Sequence, residues 1–168
     1  SAHERLYGAA IEIARRPDLF VRYGVSDDVD GRFDALALVV SLVMRRLKEL
    51  GDDGRDLSQQ LFDSMFADMD LSLREMGAGD LGVSKRVRVM AEAFMGRLDA
   101  YTTAIDNRDR EALAKALERN LLRGAVSPDA RRSGLVDYVL ALAAAVEAAD
   151  AQEMLEGELK LGSVKAPR

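Results

Sequence analysis

The stretch Phe33 to Leu50, FDALALVVSLVMRRLKEL, decides the fold. Its apolar side chains Phe33, Leu36, Val40, Val43, Leu47 and Leu50 follow one another in steps of three, four, three, four and three. A period close to 3.6 puts them on one face of an α-helix. At roughly 1.5–3 kcal/mol per buried large side chain, the gross gain from that face is about 10 kcal/mol. Gly51 and Gly54 in the run GDDGRD predict its end, and Asp56 with Gln59 three residues later predicts a capped start for the next helix. That second helix carries Leu61, Phe62, Met65, Phe66, Met69 and Leu73 at helical spacing.

Working outward, Leu6, Ala10, Ile13 and Ala14 predict a first helix over Glu4 to Arg15, with Pro17 as its stop. A polar, Asp-rich connection follows from Tyr23 to Gly31. Beyond the glycine-rich run GAGDLG, residues 77–82, the spacing of Val83, Val87, Met90, Phe94, Leu98, Tyr101 and Ile105 predicts a long helix from about Ser84 to Ile105. Asp109 is placed to cap a helix bearing Leu113, Leu117 and Leu121. The break at Ser127-Pro128 precedes an apolar helix near Leu135, a short helix around Met154, and a polar tail from about residue 158 to Arg168. No segment alternates as a half-buried strand does, and no repeat is present. The expected class is all-α, a single-domain helical bundle of about six to seven helices over residues 1–168.

Composition narrows the function. A length of 168 residues, with 48% hydrophobic and 32% charged residues, is that of one globular domain. The net charge of −5 runs against a general nucleic-acid binder, which needs a basic excess to neutralise phosphates. The absence of cysteine removes disulfides, thiolate nucleophiles and cysteine-held metal sites together. The longest nearly apolar stretch, Leu135 to Ala149, is interrupted by Asp137 and Glu147 and falls short of the roughly 20 residues a bilayer span needs.

The motifs that could carry chemistry are weak. Gly77, Gly79 and Gly82 spell GxGxxG, but a helical stripe precedes them where a dinucleotide site needs a strand. Ser26 to Gly31 resembles part of a calcium loop, yet Ser26 and Ala37 stand where its first and last carboxylate ligands belong. Asp27, Asp28, Asp63, Asp68 and Asp70 invite a magnesium-dependent isoprenoid-type enzyme as a rival reading, but they lack a paired DDxxD pattern. His3, the sole histidine, is expected at the surface rather than as a general base. Met65, Met69, Met76, Met90 and Met95 read either as core filler or as an adaptable surface for apolar clients. Lys85, Arg86 and Arg88 sit in the first turns of the long helix, where cations oppose the helix dipole; an acidic partner or a solvated face accounts for them.

Three successive segments, GVSDDVDGRFD, LSQQLFDSMFADMDLSLREMGAGDLGVSKRVRVMAEAF and MGRLDAY, carry a resemblance. The chain resembles the ubiquinol-cytochrome c chaperone family over about Glu4 to Leu122. The matching positions are Asp30, Gly31, Arg32, Phe33, Leu61, Phe62, Asp63, Asp68, Asp70, Arg74, Glu75, Gly77, Gly79, Asp80, Lys85 and Arg97. The resemblance implies an all-helical assembly factor with no catalysis and no cofactor. Its implied client is newly made cytochrome b, with a small assembly partner or the ribosome nearby. It also implies a place in the bacterial cytoplasm or mitochondrial matrix, peripheral to the inner membrane. The implied client-binding set is Arg32, Phe33, Asp68, Asp70, Arg74, Glu75, Gly77, Gly79, Asp80, Lys85, Arg86 and Arg97. Arg32, Arg74 and Arg97 suit bidentate pairing with carboxylates, either as walls of an apolar groove or as a buried structural network. A regulatory adaptor with a soluble partner is the remaining alternative.

Overall fold

The central helix begins where Asp28, in extended backbone, accepts a hydrogen bond from the Gly31 amide at 2.8 Å. A carboxylate in that position satisfies one of the amides that the first helical turn leaves free. The computed structural model describes residues 1–77 and 79–164, with the side chains of Asp80 and Leu81 outside that set. Its helices are α1 (Ala2–Ala14), α2 (Pro17–Val21), α3 (Val29–Leu47), α4 (Gly51–Glu75), α5 (Asp80–Asp106), α6 (Arg110–Asn120), α7 (Asp129–Ala148) and α8 (Ala151–Leu155). Among the described residues there are no strands. The chain is a single all-helical domain.

α3 is the axis of the molecule and packs against α1, α4, α5 and α7. The stripe read from the sequence is there, but so is burial on the other faces: Ala35, Ala37, Leu38, Val39 and Leu42 are all buried. A helix apolar on all sides is one surrounded by neighbours. The core continues through Leu6, Leu61, Met65, Phe94, Tyr101, Leu113, Leu117, Tyr138 and Val139.

Three boundaries differ from expectation. Pro17 opens α2 rather than merely stopping α1, because a proline at the first helical position loses no hydrogen bond. The run GDDGRD opens α4 instead of separating two helices, so Asp56 lies inside α4 and is not its cap. Gly54 is needed there for contact, not for a break: a Cβ on it would lie 2.1 Å from the carbonyl oxygen of Leu47. α5 starts at Asp80, four residues before Ser84, and takes in part of the glycine-rich run. Asp109 caps α6 as read, accepting from the Ala112 amide at 3.0 Å. Asp109→Ala is expected to cost about 1 kcal/mol, measurable as a small fall in thermal midpoint by circular dichroism with unchanged helix content at 20 °C or thereabouts.

The direction of the long helices positions the site. Arg97 of α5 meets Asp34 of α3 at 3.2 Å, and Arg45 of α3 meets Asp106 of α5 at 2.8 Å, so the two helices run the same way. Phe62 and Phe66 of α4 meet Phe94 of α5 at ring distances of 5.6 and 5.9 Å, the first tilted and the second edge-to-face. From the level of Asp34 and Arg97, α3 extends back only to Val29, whereas α5 extends back to Asp80. At about 1.5 Å per residue, the α4–α5 hairpin therefore projects roughly 18 Å past the start of α3.

Candidate functional site

The projecting hairpin and the start of α3 enclose a groove of about 740 Å³. Val29 and Phe33 come from α3, Met69 and Leu73 from α4, Met76 from the residue that ends it, and Val89, Met90 and Ala93 from α5. Val29, Met76 and Val89 are 66%, 68% and 56% exposed. Apolar side chains held open on a concave surface, rather than tucked into the core, mark a place for a partner. Lys85, Arg86, Arg97, Arg123, Asp28 and Asp30 supply its charges.

The inner end of the groove rests on a buried carboxylate. Asp34 is 1% exposed and is held by Arg123, Nε at 2.8 Å and a second nitrogen at 3.4 Å, and by Arg97 at 3.2 Å. Arg97 also lies over the Phe33 ring at 5.5 Å, so one guanidinium holds the helix register and caps an aromatic face. Burial raises the carboxyl pKa of Asp34 above the usual aspartate range, while the hydrogen bond from Arg123 and the charge of Arg97 pull it down. Arg123 sits at φ +50°, a left-handed conformation uncommon for any residue with a side chain, in the turn after α6.

A second hollow of about 230 Å³ lies next to the groove and shares Val29, Phe33 and Met69 with it. Tyr7, Ile11, Phe20, Arg32, Leu36 and Asp68 are in its lining. Tyr7 donates to Asp68 at 2.6 Å, and burial together with that carboxylate pushes the phenol pKa upward. His3, expected at the surface, is partly buried and shares a 2.8 Å hydrogen bond with Ser64, a second tie between α1 and α4.

The residues singled out from the sequence separate into groups. Phe33, Lys85, Arg86 and Arg97 line the groove, and Arg32 and Asp68 line the smaller hollow. Arg32 pairs with Asp27 at 2.9 Å in the entry to α3, and Arg74 pairs with Asp70 one turn earlier on α4 at 2.9 Å. Of the three arginines considered as helix clamps, Arg97 is the one whose pair joins α5 to α3. Glu75 is exposed at the end of α4, Gly77 follows at φ +86°, and Gly79 precedes α5. The side chain of Asp80 lies outside the described residues. The methionines divide too: Met65 is buried, whereas Met69, Met76 and Met90 line the groove. Among the described residues no group of three or more His, Cys, Asp or Glu is placed to hold a metal. All five aspartates behind the magnesium reading have other partners: Asp27 holds Arg32, Asp28 caps α3, Asp63 accepts from Gln59, Asp68 accepts from Tyr7, and Asp70 holds Arg74.

A protein-family model described as ubiquinol-cytochrome C chaperone matches residues 21–161. The chain belongs to the ubiquinol-cytochrome c chaperone family. Within that family it is 26% identical over 151 residues to the ubiquinol-cytochrome-c reductase complex assembly factor 1 of Xenopus laevis, covering 90% of this chain and 75% of the relative. It also superimposes on the crystal structure of the Cbp3 homolog from Brucella abortus with a TM-score of 0.84 at 32% identity, over 97% of this chain and 90% of the other. The matched span of this chaperone-family domain takes in both hollows except for the α1 wall of the smaller one and part of α2.

Asp34 and Arg123 are the charged site residues that reading the sequence passed over, and Val29, Val89 and Ala93 the apolar ones. Asp34 was legible: with Leu38 and Ser41 it falls on one helical face, and a carboxylate on a face that must be buried needs a cation. Nothing in the sequence pointed to Arg123, whose role depends on the turn that aims it.

Proposed function

We propose that the protein is a non-catalytic assembly chaperone of ubiquinol-cytochrome c reductase, and that its client is newly made cytochrome b. The observation that carries this reading is the groove itself, with Val29, Met76 and Val89 exposed on a surface of a chain that belongs to a chaperone family. An apolar membrane subunit without its partners needs a surface that covers it and lets go. Reversible cover of that kind calls for apolar area with a charged rim, since rim charges set recognition and association rate more than affinity. Lys85 and Arg86 are that rim at the outer end, and Arg32, Asp68, Asp70, Arg74, Glu75, Gly77, Gly79 and Asp80 border the groove or shape the hairpin that forms it. The names of the Xenopus and Brucella relatives support the assembly role. Among the described residues no helix is long and apolar enough to cross a membrane. A client in the bilayer and membership of an assembly-chaperone family support a place beside the inner membrane, on the cytoplasmic or matrix side.

The test is affinity purification of the tagged protein from its native host in mild detergent, with cytochrome b quantified. A parallel sample carries Lys85→Glu and Arg86→Glu. Cytochrome b is expected to enrich with the unmodified protein and to fall at least about tenfold with the double variant, the size of a lost pair of charge contacts. Recovery of a soluble partner without cytochrome b would instead identify an adaptor.

A further inference from the structure

The groove has two electrically different ends. At the inner end, Asp30 lies 3.8 Å from Arg123, which together with Arg97 holds Asp34, and Asp28 is beside them in the lining. The two guanidinium groups are shared with the buried Asp34, so the carboxylates that this end offers to a partner are the exposed Asp28 and Asp30. Lys85 and Arg86 line the outer end. They stand twelve and eleven residues before Arg97 on the same helix, about 18 and 16 Å away, and between the two ends the α5 side chains in the lining are the apolar Val89, Met90 and Ala93. An apolar floor of that length matches about three turns of helix.

We infer that the groove takes an apolar helical segment of about three turns in one polarity only. The N-terminal end of the segment lies at Asp28 and Asp30, and its C-terminal end, bearing a carboxylate, lies at Lys85 and Arg86. The reason is that a helix is itself a dipole, positive at its N-terminus and negative at its C-terminus. In this polarity both ends of the segment meet opposite charge; turned around, both meet like charge. The apolar floor supplies area that is indifferent to direction, and the ends supply the direction. The inference rests on the groove being the client site and specifies the chemistry of the segment that enters it.

Two synthetic fluorescein-labelled peptides test it. Each has 14 residues held helical by a hydrocarbon staple, so that the end charges do not change its helicity, with a leucine stripe at i, i+3, i+4 and i+7, two lysines at one end and two aspartates at the other. One is written with the aspartates C-terminal, and the second is its reversed sequence. Binding to the full chain is read by fluorescence anisotropy. The C-terminal-aspartate peptide is expected to bind about tenfold more tightly, and Lys85→Glu with Arg86→Glu is expected to cancel or invert that preference without shifting the thermal midpoint, because both side chains are exposed. Equal affinity of the two peptides, or a preference that survives charge reversal, overturns the polarity while leaving the groove as a client site. Failure of both peptides to bind the unmodified chain overturns the groove reading and the polarity with it.

Discussion

Arg97→Ala is expected to lower the stability of the fold by about 3 kcal/mol, the low end for breaking a buried ion pair, and the thermal midpoint by roughly 6–12 °C. The magnitude comes from what is left behind rather than from the pair itself. Asp34 is buried and its carboxylate would retain only Arg123, which is itself half-exposed. Burial already raises the Asp34 pKa, so its charged form is held in the fold at a cost that two cations offset. Removing one of them raises that pKa further. An acid whose folded pKa is raised stabilises the fold below the ordinary aspartate range, and this contribution is lost as pH rises through the folded pKa. The deficit of Arg97→Ala relative to the unmodified chain should therefore be smallest in acid, grow as pH climbs above the ordinary aspartate range, and level off once Asp34 is ionised in both proteins. Adding Asp34→Asn to Arg97→Ala should recover part of the loss and flatten that slope. Thermal melts at a series of pH values check both statements; a deficit independent of pH would mean that Arg97 acts through its packing on Phe33 and not through its charge.

The same cluster explains what the sequence could and could not disclose. Helical periodicity found every long helix, because apolar spacing is a local property and each helix buries a stripe. It could not reveal that α3 is buried all round, since Ala35, Val39 and Leu42 read as the back of a stripe until neighbours are placed against them. Glycine was a partial guide at both turns: Gly51 (φ +77°) and Gly77 (φ +86°) do mark the breaks, but not every glycine of either run lies in one. Gly54 is inside α4 because the Leu47 carbonyl leaves no room for a side chain, and part of the GAGDLG run lies in α5. At the site, Phe33, Lys85, Arg86 and Arg97 could be singled out from motif and charge, and they do share one groove. The apolar part of its lining was visible only as a set of helical residues. Met69, Leu73, Val89 and Met90 form a wall because the hairpin outruns α3, and that difference in reach belongs to the packing of three helices.

Gly31→Ala is expected to damage both the fold and the groove, and it separates a required glycine from a tolerated one. A Cβ at Gly31 would lie 1.8 Å from the carbonyl oxygen of Ser26 and 2.7 Å from its carbon. Both atoms belong to the backbone, so no side-chain rotation relieves the overlap and the loop ahead of α3 must move. That movement withdraws Asp28 from its hydrogen bond to the Gly31 amide and shifts Asp27 from Arg32. Overpacking at about 1–3 kcal/mol and a lost cap at about 1 kcal/mol together give a cost of about 3 kcal/mol. Asp28, Val29 and Asp30 are the inner end of the groove, so the affinity for an apolar helical peptide should fall as well, even at temperatures where the variant is folded. Gly96→Ala is the control: Gly96 is also helical, nothing lies within 4 Å of its missing Cβ, and alanine there should raise stability by about 0.5–1 kcal/mol without altering peptide binding. The two glycines look alike as letters within predicted helices, and they differ because one helix starts against its own entry loop while the other faces open space.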